Sequence, residues 1–555
     1  MSDQLTIAAI QANPVLGAID RNADKARELI AEAHARGADL AVFSELYLVG
    51  YPPEDLTLKP AAVRDCMLAL RRLAIETKDL CPALVTTMWP GDGPRPHNAF
   101  ALIADGEIKD FTFKVDLPNY GVFDEKRVFE PGAAPKVFDF RGVKLGVPIC
   151  EDIWQEEVCV HLAEAGAELL LVPNGSPYEL DKDDLRQRLV RSRVLQTGLP
   201  LAYLNRVGGQ DELAFDGSSF ILHPDGELVA QMCDWDEALL MTDWVRAADG
   251  WRCETRCEHA LDRFPADVYR AMMVALRDYV ERNGFPGLIL GLSGGIDSAL
   301  SAAVAVDALG PDKVWGVMLP SKYTSDESLT DARENARMLG CRHDVISIAP
   351  AVSAVDEMLP DLKGLAAENV QARLRMVTLM ALSNAQGQML LTTGNKSEMS
   401  VGYATLYGDM AGGYSVLKDA YKTTVFALAR WRNRNKPDGA LGPEGPVMPE
   451  NIITKPPTAE LRPGQKDEDS LPPYSVLDRI LEGLVDKEMS VKEVANATGA
   501  DVGLVADIES KLLKAEYKRR QAPPGVKIGG RNFGRDRRYP ITNFFHTGST
   551  VKLSQ

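Results

Sequence analysis

The octapeptide Gly291-Leu292-Ser293-Gly294-Gly295-Ile296-Asp297-Ser298 constrains this chain more than any other stretch. An apolar run, Leu288-Ile289-Leu290, leads into it, and an alanine-rich stretch from Ala299 to Leu309 follows. That order specifies a strand, a tight small-residue loop and a helix N-terminus. Such a loop turns backbone N–H groups and the positive end of a helix dipole toward an anion. Ser293 and Ser298 add hydroxyl donors. Asp297 would repel a phosphate unless a divalent cation stood between them. The loop therefore reads as a cradle for a metal-bound pyrophosphate. It lacks the Gly-Lys-Ser/Thr ending of a Walker loop and the Gly-x-Gly-x-x-Gly spacing of a dinucleotide fingerprint. The competing reading is an ordinary glycine-rich turn.

A chain of 555 residues is too long for one hydrophobic core, so two or three domains are expected. Its 45% apolar content is typical of a globular enzyme. A net charge of -17 argues against nucleic-acid and anionic-membrane partners. Met1-Ser2-Asp3-Gln4 begins no signal-peptide pattern, and no apolar stretch is long enough to span a bilayer. Eight scattered cysteines make no disulfide framework. A cytoplasmic protein without membrane or nucleic-acid partner is expected. Cys253, Cys257 and His259 are close enough to suggest zinc, but no second ligand pair follows at a usual spacing, which favours incidental cysteines in an exposed linker.

Two halves are visible. Residues 1–243 alternate short apolar strands with helical stretches, and Asp105-Gly106 and Asp225-Gly226 mark hairpin turns. Residues 244–264, polar and rich in Arg, Asp and Cys, read as a linker. Residues 265–555 open with a helix at Ala266–Arg282. Strands at Leu288–Leu292, Val314–Leu319, Val345–Ile348 and Met389–Thr393 then follow, with a long helix near Ala367–Asn384. That is an α/β, doubly wound parallel pattern, with ligands expected at the strands' carboxyl ends. The Pro- and Gly-rich residues 433–474 read as loops over the site.

In the first half, Glu45 follows Leu40-Ala41-Val42-Phe43, Lys114 follows an Ile108–Phe113 strand, and Cys150 follows Gly146-Val147-Pro148-Ile149. Covalent amide cleavage needs a thiolate nucleophile, a base that returns its proton to the leaving amine, and a donor for the oxyanion. Cys150, Glu45 and Lys114 fit those roles, and the lysine would favour the thiolate. Eight cysteines and many acids do not select this trio by composition. The segments Phe43-Ser44-Glu45-Leu46, Phe113-Lys114 and Ile149-Cys150-Glu151-Asp152 resemble the Glu-Lys-Cys signature of the nitrilase superfamily. The resemblance implies an αββα sandwich, an orienting acid at Glu125, and glutamine-binding positions at Tyr120, Ser176 and Lys182.

Ser293 to Ser298 resembles the pyrophosphatase loop of N-type ATP pyrophosphatases, a Rossmann-like, adenine nucleotide alpha hydrolase-like fold. GMP synthetase, asparagine synthetase, argininosuccinate synthetase and tRNA-modifying enzymes share that loop. The segments Glu368–Arg375, Thr392–Glu398 with Tyr407-Gly408-Asp409, and Lys455–Leu461 resemble NAD synthetase. With the first half, the whole chain is similar to the glutamine-dependent NAD synthetase family. That resemblance implies hydrolysis of L-glutamine, then ATP-dependent amidation of deamido-NAD through an adenylated intermediate. It places ATP on Gly291, Leu292, Ser293, Gly294, Gly295, Ile296, Asp297, Ser298 and Thr393, with Lys422 and Thr458 reaching phosphate from flexible loops. It places deamido-NAD on Asn369, Glu398 and Lys518, and Mg2+ on Asp297 and Glu398. It also implies a homo-oligomer and a shielded path for ammonia. Plainer readings compete: Asn369 as a helix-start cap, Lys182 and Lys422 as surface lysines, the Lys514–Arg538 cluster as a solvated face. At the level of the whole chain the alternatives are another glutamine-dependent ATP pyrophosphatase amidotransferase and a metabolite-sensing protein without turnover.

Overall fold

The computed structural model describes residues 3–180, 182–248, 250–462 and 464–547. The chain divides into two compact units at Asp262/Arg263, with Asp211–Leu213 grouped with the second.

The first unit holds two seven-stranded sheets. One runs, in spatial order, Gly250–Cys253, Ala238–Ala247, Gln4–Gln11, Leu40–Val42, Ala83–Trp89, His97–Ala104 and Glu107–Phe113. The other runs Cys257–Glu258, Leu228–Gln231, Phe220–Leu222, Leu201–Asn205, Leu169–Asn174, Val143–Gly146 and Phe138–Phe140. Side chains alternate across a strand, so each strand feeds two cores. Leu5, Ile7, Leu40, Val42 and Phe100 meet Leu145, Leu169, Leu171 and Ile221 between the sheets. The intervening Ala8, Ile10, Ala41 and Ala101 pack on the helices Ile19–Ala35 and Pro60–Glu76. On the far side, Leu170 and Val172 pack on Glu157–Glu164 and Lys182–Thr197. The layers are therefore α, β, β, α, as the resemblance implied. Asp105 and Gly106, at φ 50° and 83°, make the expected turn between antiparallel strands.

The stretch 244–264 is not the expected linker. Trp244 belongs to Ala238–Ala247, and Gly250–Cys253 and Cys257–Glu258 are strands of the two sheets. Trp244, Trp251 and Cys253 are buried in the core between the sheets. Their period-two alternation with Arg252 and Glu254 was masked by the polar average of the stretch. Cys257 pairs into the second sheet beside Ala230, and no metal-binding group unites Cys253, Cys257 and His259 among the described residues.

The second unit is built on a five-stranded sheet, in spatial order Arg342–Val345, Val314–Met318, Leu288–Gly291, Met389–Thr392 and Tyr414–Ser415, every neighbouring pair parallel. The chain runs outward one way from Leu288–Gly291 and then restarts on its other side at Met389. That reversal leaves a crevice beyond the carboxyl ends of these two strands. The helix Ile296–Leu309 is buried at every residue except Asp297, which explains its alanine and valine content. The third strand is Arg342–Val345 rather than the expected Val345–Ile348, because Ile348 caps the helix Ala349–Met358.

Three helices of this unit share one buried polar knot. Arg432 donates to Asp307 through Nε at 2.6 Å and Nη2 at 3.0 Å, and the Tyr269 hydroxyl donates to Asp307 Oδ2 at 2.6 Å. Asp307 and Arg432 are fully buried. Asp307→Ala leaves the guanidinium uncompensated and should destabilise this unit by roughly 3–5 kcal/mol. A urea-unfolding midpoint unchanged from the parent would contradict that.

Candidate active sites

In the first unit, several distant chain segments converge on one buried lysine. Lys114 Nζ donates to Glu45 Oε1 at 2.8 Å and to Glu125 at 3.0 and 2.8 Å. The lysine and Glu45 are fully buried, and Glu125 nearly so. Glu45 is held further by Asn98 Nδ2 at 2.8 Å and by the Gly175 N–H at 2.9 Å. The Tyr51 hydroxyl donates to Glu125 at 2.8 Å. Burial pushes the Glu125 carboxyl up to about 7, with Lys114 pulling the other way. The two carboxylates more than reverse the effect of burial on Lys114, which stays an ammonium.

Cys150 is buried and has φ 47°, a left-handed conformation that costs a side-chain-bearing residue energy. It begins the short turn Cys150–Ile153. Asp152 ties that turn to the end of Lys114's strand, accepting from Ile149 N at 2.9 Å, Val115 N at 3.0 Å and Asp116 N at 2.7 Å. Burial and the charge of Glu45 push the thiol well above its usual value, while Lys114 and the Gly175 N–H oppose them. The lysine pulls toward the thiolate, as expected from the sequence, but does not outweigh burial. Burial wins, and the thiol keeps its proton beside a carboxylate.

The three expected glutamine positions separate. Tyr120 is half exposed and donates to Glu151 at 2.9 Å, in an open depression lined also by Arg95, Asp116, Lys126 and Gln155. Lys182, the first residue of its helix, stacks over Phe123, which packs edge-on to Tyr120. Ser176 is buried, and its hydroxyl accepts from Arg186 Nε at 3.2 Å. Ser176 does not line that depression.

In the second unit, the octapeptide and the segment after Met389–Thr392 wall one cavity of about 300 Å³. Gly291, Leu292, Ser293, Gly295, Ile296, Asp297, Ser298, Thr393, Glu398, Lys422 and Thr458 all line it. Gly295 caps the helix Ile296–Leu309. The Ser293 and Ser298 hydroxyls lie 3.0 Å apart, and Ser298 Oγ donates to the Gly295 carbonyl at 3.0 Å. Lys422 Nζ donates to Asp297 and, at 3.2 Å, to Glu398. Asn395 positions both acids, donating to Asp297 at 3.0 Å and accepting from Glu398 N at 3.0 Å. Burial pushes the Glu398 carboxyl up to about 8, and Lys422 counters it.

Two family models match the chain, carbon-nitrogen hydrolase over residues 6–248 and NAD synthase over residues 268–522. A Rhodobacter capsulatus protein named glutamine-dependent NAD(+) synthetase is 48% identical over 98% of this chain and 99% of its own length. The chain belongs to the glutamine-dependent NAD(+) synthetase family. An Acinetobacter baylyi protein of the same name is 45% identical over 97% and 98% of the two chains. The solved glutamine-dependent NAD+ synthetase of Acinetobacter baumannii, in complex with adenosine diphosphate, is 41% identical with a TM-score of 0.77 over 97% of this chain and 99% of that one.

Three residues expected at the NAD synthetase site stand differently. Lys422 is on no flexible loop: it starts the helix Lys422–Arg432 and is buried. Asn369 and Lys518 do not line the cavity. Asn369 lies within the helix Leu365–Gln386, so it is no cap, and accepts from Thr405 Oγ1 at 2.9 Å. Lys518 Nζ donates to the carbonyls of Gly402 at 2.8 Å and Ala404 at 2.7 Å. Arg375, Lys455 and Glu460, which the sequence marks only as members of family-like segments, and Asp467, which it does not mark, also reach the cavity wall. The sequence reading passed over Tyr51, Asn98 and Gly175 at the first site. Gly175 directly follows the strand Leu169–Asn174, as Cys150 directly follows the run Gly146–Ile149, and was the findable one.

Gly294 does not line the cavity but sets the loop's path. It has φ +79°, and an added Cβ would stand 2.4 Å from the Ser328 carbonyl oxygen. Gly294→Ala should therefore displace the loop and weaken ATP binding by at least about tenfold, or 1.4 kcal/mol. Calorimetric titration with ATP checks this, and unchanged affinity would contradict it.

Proposed function

We propose that the first unit hydrolyses L-glutamine and the second uses the ammonia to amidate deamido-NAD with ATP, giving NAD, AMP and pyrophosphate. The observation that carries this reading is the pair of buried Lys–carboxylate clusters. One stands beside a strained cysteine and the other in a cavity walled by a pyrophosphate-type loop.

In the first reaction, Cys150 Sγ attacks the side-chain carbonyl carbon of glutamine. Glu45, held on its other side by Asn98 and the Gly175 N–H, takes the thiol proton as the C–S bond forms. Lys114 stabilises the oxyanion, and Glu125 fixes the lysine. Glu45 returns the proton to the departing ammonia, and water then opens the thioester to glutamate. Tyr120, Ser176 and Lys182 are proposed to hold the amino acid.

In the second, the nicotinate carboxylate of deamido-NAD attacks the α-phosphorus of ATP, and pyrophosphate leaves into the Ser293–Ser298 loop and the N-terminus of the helix Ile296–Leu309. Neutral ammonia then displaces AMP. Asp297 and Glu398, two hard oxygen donors that share the Lys422 ammonium, are proposed to hold a magnesium ion, which would neutralise phosphate charge. Lys422 and Thr458 are proposed to reach phosphate oxygens, and Glu398, Asn369 and Lys518 to serve the dinucleotide. The last two need the segment 402–409 to present them. A homo-oligomer and a cytoplasmic setting belong to the same reading. Among the described residues, no helix is long and apolar enough to cross a membrane.

Glutamine labelled with 15N in its amide should yield NAD labelled in its carboxamide, with AMP and pyrophosphate as co-products. Asp297→Ala should lose synthesis with either nitrogen source while keeping glutamine hydrolysis. ADP in place of AMP, or full synthesis by Asp297→Ala, would contradict the reading.

A further inference from the structure

The hairpin His223-Pro224-Asp225-Gly226-Glu227 lies outside both sites. It joins the strands Phe220–Leu222 and Leu228–Gln231. His223 N donates to the Glu227 carbonyl at 2.9 Å and Gly226 N to the His223 carbonyl at 2.8 Å, with Gly226 at φ 82°. The His223 side chain is only 4% exposed. Its Nε2 stands 2.9 Å from the Cys253 carbonyl oxygen. A carbonyl only accepts, so Nε2 carries hydrogen and Nδ1 of the neutral ring is a lone pair. Nδ1 is buried and makes no hydrogen bond. It faces Glu227 Oε2 at 3.6 Å, and one ligand atom from each of His223, Asp225 and Glu227 lies within 4.8 Å of the others.

With the ring neutral, three acceptors converge with no donor among them. Arg256 Nη1 donates to Glu227 Oε1 at 2.8 Å, Glu227 N to Asp225 Oδ1 at 2.9 Å, and Arg191 Nε to the Gly226 carbonyl at 2.9 Å. A buried lone pair turned toward carboxylates is costly unless a positive charge stands between them.

We propose that His223 Nδ1, Asp225 and Glu227 bind a divalent transition-metal ion of the zinc type. One imidazole and two carboxylates suit zinc, whereas magnesium and calcium favour all-oxygen shells. Three protein ligands leave a fourth position for water. A ring N–H held by a backbone carbonyl is the arrangement that orients a metal-bound imidazole. Through His223 the ion links the hairpin of one sheet to Cys253, in the edge strand of the other. Its role is to brace this unit, apart from the chemistry at Cys150 and Asp297. The rival occupant of the gap is a proton on Nδ1, paired with Glu227.

The test uses the full chain carrying Cys150→Ala, so that the reactive thiol captures no metal, with excess Mg2+ present. Zinc is titrated by calorimetry and counted by elemental analysis after desalting. One bound equivalent is expected at this site, together with a rise in melting temperature. The exposed-residue variants Asp225→Asn and Glu227→Gln, which leave the core untouched, should each weaken binding by at least about tenfold, the loss that even an outer-sphere partner causes. His223→Ala should abolish both the binding and the zinc-dependent rise in melting temperature. Zinc uptake equal in the parent and both carboxamide variants would overturn the proposal. So would absence of zinc binding together with a loss of stability in Glu227→Gln, which assigns the gap to a proton.

Discussion

Each unit is organised around a lysine ammonium taken out of water and held by two carboxylates. Lys114 sits between Glu45 and Glu125, and Lys422 between Asp297 and Glu398. Withdrawing such charges from water costs several kcal/mol per ion, so each cluster persists only while every charged atom has a partner. The partners come from distant parts of the chain, which makes the clusters gauges of correct folding as well as of chemistry. At the first, Asn98, Gly175 and Tyr51 complete the shell of acceptors and donors. At the second, Asn395 does the same. Burial, more than the neighbouring charges, decides the state of Cys150. The net effect of its surroundings is to keep the resting thiol protonated.

The sheets make these clusters possible. Short strands deliver Glu45, Lys114 and Cys150 to one end of the first unit's sandwich, while side-chain alternation leaves each strand free to build two cores. In the second unit the reversal of strand order between Leu288–Gly291 and Met389–Thr392 opens the crevice that the octapeptide lines from one side and Thr393, Gly394 and Glu398 from the other. Gly294 shows how little freedom remains there, since even one carbon would strike the Ser328 carbonyl.

Legibility in the sequence followed contiguity. The octapeptide, the Glu45, Lys114 and Cys150 segments and the helix Ala266–Arg282 were readable because each is a local pattern whose physics is complete within a few residues. The αββα layering and the identity of the dinucleotide came from resemblance, because no period or spacing states them. Trp244–Cys253 was misread because its alternation is short and set among charges. Lys422 was placed on a flexible loop by the resemblance alone, which says nothing of the helix it begins. Tyr51 and Asn98 were missed for a different reason: their significance lies wholly in what they face across the fold.

Glutamine hydrolysis and adenylation are proposed as separate chemistries in separate units, with ammonia as the only reactant passed between them. Measuring NAD formation by Cys150→Ala with glutamine and with ammonium chloride tests that separation directly. The account expects no NAD from glutamine and a parent-like rate from ammonium at a pH where free ammonia is abundant. Loss of both activities in a folded variant, or retention of the glutamine-driven one, would contradict it.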